Sequence, residues 1–120
     1  MYKFGFIGMG NMASAIATGF IESEYVEGNK VCAYDLNQSQ LDKMASLGVA
    51  AKENAHQVVK ESDMVFLCVK PQVIESVVAD IKEDLKGKAV VSIVLGYSYD
   101  KYNELLDAST RHLTVMPNTP

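Results

Sequence analysis

The glycines near the start of the chain carry the clearest chemical implication. The run Gly8-Met9-Gly10-Asn11-Met12-Ala13 has the pattern G-x-G-x-x-A. In this pattern the first glycine permits a tight turn, the second lets backbone approach a pyrophosphate, and the small third residue lets a helix pack closely on a strand. The N–H groups that begin such a helix are suited to phosphate. The run therefore predicts a dinucleotide site, provided that a strand precedes it and a helix follows it.

An acidic residue further along the chain supports this prediction. Asp35 lies 22 residues beyond Ala13, at the end of a second strand-like run, close to the spacing of about 20 residues expected for a carboxylate that binds the adenine ribose. A carboxylate accepts hydrogen bonds from ribose hydroxyls and repels a 2′-phosphate, so Asp35 favours NADH over NADPH. Asn37 and Ser39 could still donate to a phosphate if Asp35 turned outward, so NADPH stays open.

Apolar runs typical of buried strands alternate with stretches of helical spacing along the chain. The predicted strands cover 3–8, 30–35, 49–51, 64–69, 89–95 and 113–116. Five helices are predicted. The first covers 11–23, the second has its N-cap at residue 37 or 39 and ends at 48, the third runs from 54 through 59, the fourth runs from 71 to 87, and the fifth covers 99–106. Two of these helices carry apolar stripes. In the first, Met12, Ile16 and Phe20 lie on one face with Ala13, Ala17 and Ile21 beside them, and the fourth carries Val73, Val77, Ile81 and Leu85.

Strands that are continuously apolar and separated by helices predict a parallel sheet covered on both faces. With right-handed crossovers, the simplest topology is α/β, a Rossmann-type doubly wound, mainly parallel sheet in three layers. The length of 120 residues fits one domain, so residues 1–120 are predicted to form a single NAD(P)-binding Rossmann domain.

Composition narrows the possible partners. The net charge of −4, with lysines scattered among carboxylates, argues against nucleic acid. No run approaches the roughly 18 apolar residues of a membrane span, and no spacing suggests a metal site. Cys32 and Cys68 each lie in an apolar run, which is typical of buried thiols in a reducing compartment. We therefore expect a cytoplasmic protein without metal or membrane contact.

Four segments together resemble one enzyme family. They are Phe6-Ile7-Gly8-Met9-Gly10-Asn11-Met12, Val69-Lys70-Pro71-Gln72, Ser92-Ile93 and Met116-Pro117-Asn118-Thr119-Pro120. Their order and intervals are similar to those of pyrroline-5-carboxylate reductases along the whole chain, and the closing segment is the most specific of the four. The chain departs from the family pattern at Leu95, where the family usually has alanine, and at Thr114, where it usually has arginine.

The resemblance implies roles for individual residues. Residues Ile7 to Met12 would hold the pyrophosphate, and Asn54 would meet the adenosine side of the cofactor. Cys68, Val69, Lys70 and Pro71 would line the nicotinamide half. Asn118 and Thr119 would border the nicotinamide and the substrate.

The resemblance further implies reduction of 1-pyrroline-5-carboxylate to L-proline by hydride from NADH or NADPH, the last step of proline biosynthesis. A protonated cyclic imine already accepts hydride, so no catalytic side chain is expected in these residues. The family continues into a helical domain that forms the dimer and most of the substrate pocket. Because this chain lacks that domain, we expect it to be inactive alone, and the full-length parent to be a homo-oligomer built on dimers.

Two other functions remain open at this point. One is the cofactor domain of another dehydrogenase, of the β-hydroxyacid or prephenate type, although such enzymes are not expected to carry the Met-Pro-Asn-Thr-Pro segment. The other is a non-enzymatic dinucleotide-binding module, which would use the same glycine turn without a hydride acceptor.

Overall fold

The computed structural model describes residues 1–93 and the backbone of residues 111–114. Six parallel strands form one sheet in the order β3-β2-β1-β4-β5-β6, which confirms the predicted Rossmann-type fold. The strands are β1 (Tyr2–Ile7), β2 (Val31–Tyr34), β3 (Ala50–Ala51), β4 (Ser62–Leu67), β5 (Ala89–Ser92) and β6 (Arg111–Thr114). The described helices are α1 (Asn11–Glu22), α2 (Gln38–Ala45), α3 (Ala55–Glu61) and α4 (Ile74–Ile81), with single 3₁₀ turns at Gly28–Lys30 and Pro71–Val73.

The sheet separates two apolar cores, because successive side chains of a strand point to opposite faces. On one face, Phe4 and Phe6 of β1 pack with residues of α1 and α2. On the other face, Ile7 packs with residues of α3 and α4. The helices therefore cover the sheet on both sides, and the chain has the three layers that the sequence predicts. In the part of the chain that the structure describes, no helix is long and apolar enough to cross a membrane.

Only part of the apolar set predicted for α1 is fully buried against the sheet. Ala13 and Ala17 are almost wholly buried, whereas Met12 is 41% exposed and Ile16 and Phe20 pack only partly against the core. The physical reason is the small third residue of the glycine pattern, which brings the helix axis close to the strand. At that short distance alanine fills the contact and larger side chains are displaced to its margins.

The buried stripe of α4 also differs from the predicted one. Pro71–Val73 forms a 3₁₀ turn, and the α-helix begins only at Ile74. Ile81 and Leu85 of the predicted stripe are fully buried, but the first turns of the helix bury Ile74 and Val78, whereas Val73 is 43% exposed. A repeat of four residues advances about 40° beyond a full turn at each step, so an unbroken stripe of that spacing leaves the core face.

Element boundaries account for the remaining differences, and α4 ends at Ile81 rather than at the predicted 87. β4 begins at Ser62, two residues before the predicted start, because Ser62 is paired with Tyr2 of β1. The Ser62 hydroxyl is fully buried and lies 3.2 Å from the Cys32 thiol. A buried serine has no apolar signal in the sequence. β6 begins at Arg111, also two residues earlier than predicted. The predicted helix over 99–106 and the end of the predicted strand at 94–95 lie outside the described residues.

One ion-paired contact joins the two helices on the second face. His56 of α3 approaches Asp84 Oδ2 through Nδ1 at 2.5 Å and Asp80 Oδ2 through Nε2 at 3.1 Å. The hydrogen bond to Asp84 is the main reason that the pKa of His56 is raised, with a smaller contribution from Asp80. Since Asp80 belongs to α4 and Asp84 follows it, a protonated His56 holds α3 to the end of α4.

This contact predicts a pH-dependent stability. A raised folded-state pKa means that the contribution of His56 is complete below the unfolded pKa of about 6.5 and is lost as pH rises through the folded value. Replacing His56 with glutamine should therefore lower the free energy of unfolding at about pH 5.5 more than at about pH 8.5. Urea denaturation at the two pH values measures the difference. In an Asp84→Asn background, the loss of stability caused by His56→Gln should differ much less between the two pH values. An equal loss at both pH values in the protein with Asp84 would contradict the ion pair as the source of the pH dependence.

Candidate functional site

The turn between β1 and α1 forms the centre of the candidate site. Gly8 donates its N–H to the Tyr34 carbonyl at 2.8 Å, which ties the turn to the end of β2. Its φ is +94°, a region that side chains rarely adopt, and a Cβ at this position would lie 2.5 Å from the Cys68 carbonyl oxygen. The first glycine of the pattern is therefore required by backbone conformation and by the closeness of the chain after β4.

Met9 is held on three sides. Its side chain is fully buried in the core beneath α1. Its N–H donates to Asp35 Oδ2 at 2.6 Å, and its carbonyl accepts from Ser14 Oγ at 3.2 Å. Sequence reasoning missed Ser14, although a small hydroxyl residue in the first turn of a helix is a recognisable signal for a bond to preceding backbone. These contacts fix the peptide that precedes the second glycine.

Gly10 faces open space. It caps the N-terminus of α1 with φ −73° and ψ −169°, values that any residue can adopt, and a Cβ here would meet nothing within 4 Å. The requirement for glycine at this position is therefore room for a ligand rather than conformation. No acidic residue occupies the first turn of α1, so the N–H groups of Asn11 and Met12 offer a positive end to an anion. This surface is suited to an anionic group.

Asp35 lies directly after β2 and beside the glycine turn. Besides the bond from Met9, its Oδ1 accepts the N–H of Asn37 at 2.8 Å. The Asn37 side-chain oxygen caps α2, accepting from Ser39 N at 3.1 Å and from Ser39 Oγ at 2.7 Å. Asp35 is therefore turned toward the glycine turn, and the Ser39 hydroxyl is directed at Asn37.

The residues after β4 complete the site on its other side. Cys68 donates its N–H to the Ile7 carbonyl at 2.9 Å, which places Cys68 and Val69 next to Gly8. Burial raises the pKa of the Cys68 thiol to about 12, so this thiol stays protonated at neutral pH and is not a nucleophile. Lys70 is exposed, and its carbonyl accepts from Val73 N at 3.0 Å in the 3₁₀ turn that Pro71 begins.

Asn54 occupies the N-cap of α3. Its side-chain oxygen accepts from Gln57 N at 2.9 Å, while Gln57 Oε1 accepts from Glu53 N at 2.9 Å. Its observed bonds are those of a helix cap, and its contact with an adenosine stays a prediction. Asn118 and Thr119 lie outside the described residues. Within residues 1–93 and 111–114, no group of three or more histidine, cysteine or acidic side chains could hold a metal ion.

The chain is similar to known proteins over most of its length. Residues 3–96 match the family model described as NADP oxidoreductase coenzyme F420-dependent. Over 99% of its length the chain is 42% identical to a pyrroline-5-carboxylate reductase of Arabidopsis thaliana, of which it covers 44%.

Two solved structures are similar over the same length. The pyrroline-5-carboxylate reductase of Coxiella burnetii superimposes with a TM-score of 0.91 at 31% identity over 99% of this chain and 45% of that one. The Plasmodium falciparum pyrroline carboxylate reductase, solved with NADP bound, gives a TM-score of 0.86 at 27% identity over 99% of this chain and 43% of that one. The chain thus spans less than half the length of each relative.

The two glycines of the turn should respond differently to alanine. Gly8→Ala introduces a Cβ that meets the Cys68 carbonyl at a positive φ, and should lower the free energy of unfolding by about 1–3 kcal/mol. Gly10→Ala meets no atom within 4 Å, and should change it by no more than about 0.5 kcal/mol. Urea denaturation midpoints measure both. Equal midpoints for the two variants would contradict the described turn.

Proposed function

We propose, from the premise that the chain belongs to the family described as NADP oxidoreductase coenzyme F420-dependent, that it is the dinucleotide-binding domain of a pyrroline-5-carboxylate reductase. The observation that carries the proposal is the joint placement of Gly8, Gly10 and Asp35 at one end of β1 and β2. The resemblance to reductases of that name over nearly the whole chain supports it. The family description also names coenzyme F420, but the Arabidopsis thaliana and Coxiella burnetii relatives are named for pyrroline-5-carboxylate reduction.

The cofactor would be held mainly by backbone. The N–H groups at the start of α1 would bind the pyrophosphate above Gly10, where a side chain would block it. Asp35 would accept the adenine ribose hydroxyls, and Leu36, which is 93% exposed, would offer an apolar surface beside them. Cys68 and Val69, adjacent to Gly8, would border the nicotinamide half. The bound NADP of the Plasmodium falciparum relative supports a nicotinamide dinucleotide here.

The reaction would be reduction of 1-pyrroline-5-carboxylate to L-proline. A bound NADH or NADPH would supply the hydride to the carbon of the C=N bond, whose nitrogen would carry a proton. The work of this chain would be to place the nicotinamide and exclude water from one side of it, without an acid or base side chain. The second wall would come from a further domain, since the chain covers only 44% of the Arabidopsis thaliana relative. The whole protein would be a cytoplasmic homo-oligomer built on dimers.

Binding tests the cofactor part of the proposal. Calorimetry should show that residues 1–120 bind NADH or NADPH, and that Gly10→Val abolishes binding because its branched side chain fills the space for the pyrophosphate. Gly19→Ala is the matched control, since Gly19 of α1 also meets no atom but lies away from the turn. Unchanged affinity in a folded Gly10→Val protein would overturn the proposed site.

Turnover tests the reaction. Residues 1–120 mixed with NADH and pyrroline-5-carboxylate should show almost no loss of reduced nicotinamide, because correct positioning can contribute roughly 7–11 kcal/mol to the rate. The longer parent protein should catalyse the reaction and should not reduce hydroxyacid-derived substrates. Activity on hydroxyacids alone would assign a different dehydrogenase, and binding without any turnover by the parent would assign a non-enzymatic module. Parental rates from residues 1–120 would place the whole catalytic site in this domain.

Asp35 should set the preference between the two cofactors. NADH is expected to bind at least as well as NADPH, because the carboxylate repels a 2′-phosphate. Asp35→Ser should shift the ratio of the two affinities toward NADPH by about 1 kcal/mol or more. Competitive binding of both cofactors to the wild-type and variant proteins measures this ratio. A clear preference of the wild-type protein for NADPH would show that Asp35 does not bind the hydroxyls of the adenine ribose.

A further inference from the structure

Asp35 contacts the glycine turn as well as the expected ribose position. Its Oδ2 accepts the Met9 N–H at 2.6 Å, a contact between residues 26 positions apart in the chain. The length is that of a charge-assisted hydrogen bond. This bond directs the Met9 N–H at a side chain rather than at a ligand, so Met9 serves to hold the turn in place.

The Asp35 carboxylate has enough acceptor capacity for two tasks. An ionised carboxylate offers about four lone-pair positions. The N–H groups of Met9 and Asn37 use one on each oxygen. The remaining positions are sufficient for a ribose diol, so the ribose and the turn can be held by one group at the same time.

The Met9 peptide is the link between β1 and the phosphate-binding end of α1. Its side chain is anchored in the core and its carbonyl by Ser14, so the bond to Asp35 fixes the last free group of that residue. Gly10 follows directly and has no side chain to hold it, so its own described contact is the bond from Ser14 N–H to its carbonyl at 2.9 Å, the first bond of α1. The direction of the N–H groups beyond Gly10 therefore depends on how firmly Met9 is held as well as on that bond.

We propose that Asp35 is a positioning residue for the phosphate-binding turn, acting through the Met9 N–H, in addition to its place beside the ribose. This inference rests on the proposed dinucleotide site and extends it. Loss of the Asp35 side chain should weaken every ligand that carries a phosphate into the turn, including ligands with no adenine ribose. A residue that only reads the ribose would leave those ligands unaffected.

The first measurement uses the protein without ligand. Amide hydrogen exchange followed by NMR should be at least about tenfold faster at Met9 in Asp35→Ala than in wild type, which corresponds to the loss of one charge-assisted bond. The Gly8 amide, bonded to the Tyr34 carbonyl, is the internal reference and should stay within about twofold. Asp35→Asn retains one acceptor oxygen for two N–H groups, so its Met9 exchange rate should lie between those of wild type and Asp35→Ala. Asp63→Asn, exposed near the start of β4, is the charge-matched control and should exchange as wild type does.

The second measurement uses reduced nicotinamide mononucleotide, which has a phosphate but no adenine ribose. Its affinity, from NMR titration, should fall at least about fivefold in Asp35→Ala and less in Asp35→Asn, while Asp63→Asn leaves it unchanged. An unaltered Met9 exchange rate in Asp35→Ala would overturn the positioning role. So would an unaltered affinity of that variant for the mononucleotide together with a large loss of its affinity for NADH. If Asp35→Ala does not fold, the same comparison is made with Asp35→Asn. A wild-type protein that binds no nicotinamide nucleotide would instead overturn the proposed function, and the exchange data would then decide the role of Asp35 alone.

Discussion

The structure depends on a constraint at the end of β1, where the chain must turn into α1 between two neighbouring strands. β1 lies between β2 and β4, and its last residues bond to both, through Gly8 N–H to the Tyr34 carbonyl and Cys68 N–H to the Ile7 carbonyl. After β1, the chain must therefore pass between the end of β2 and the residues that follow β4. Gly8 passes so close to the Cys68 carbonyl that a side chain has no room. The Met9 peptide follows Gly8 directly and therefore lies at the same place. The turn, the end of β2 and the chain after β4 thus meet there.

The close passage of the turn also determines how α1 packs. A helix that begins directly after the end of a central strand must lie close to the strands. Its contact residues must therefore be small, and Ala13 and Ala17 fill the contact. The closeness that buries these alanines also brings the N-terminus of α1 over the end of β1. Core packing and the proposed phosphate-binding surface would thus be two consequences of a single approach distance, and a bulkier residue at Ala13 would disturb both.

The sequence predicts the fold class and the turn well, because both rest on local signals. Glycines mark the turn, apolar runs mark the strands, and Asp35 stands at the expected distance. The apolar faces of α1 and α4 are less predictable, since apolarity identifies a helix face only to within its neighbours. Close packing favours Ala13 over Met12 in α1, and the 3₁₀ turn at Pro71–Val73 leaves Ile74 rather than Val73 buried in α4. β4 begins at Ser62, paired with Tyr2, and a buried serine carries no apolar signal. The Ser14 and Met9 contacts require the three-dimensional turn itself.

The bond between Asp35 and Met9 shows why a residue can be located by sequence and still be incompletely understood. Spacing places Asp35 at the end of β2, and general chemistry then assigns it to a ribose. The structure adds that the same carboxylate accepts from the glycine turn, because β2 and β1 are neighbours and their ends lie side by side. At the proposed cofactor site, a 2′-phosphate that displaced the Asp35 carboxylate would also remove the acceptor of the Met9 N–H. Cofactor preference and phosphate binding would then be coupled through one side chain, and a substitution at Asp35 would act on both.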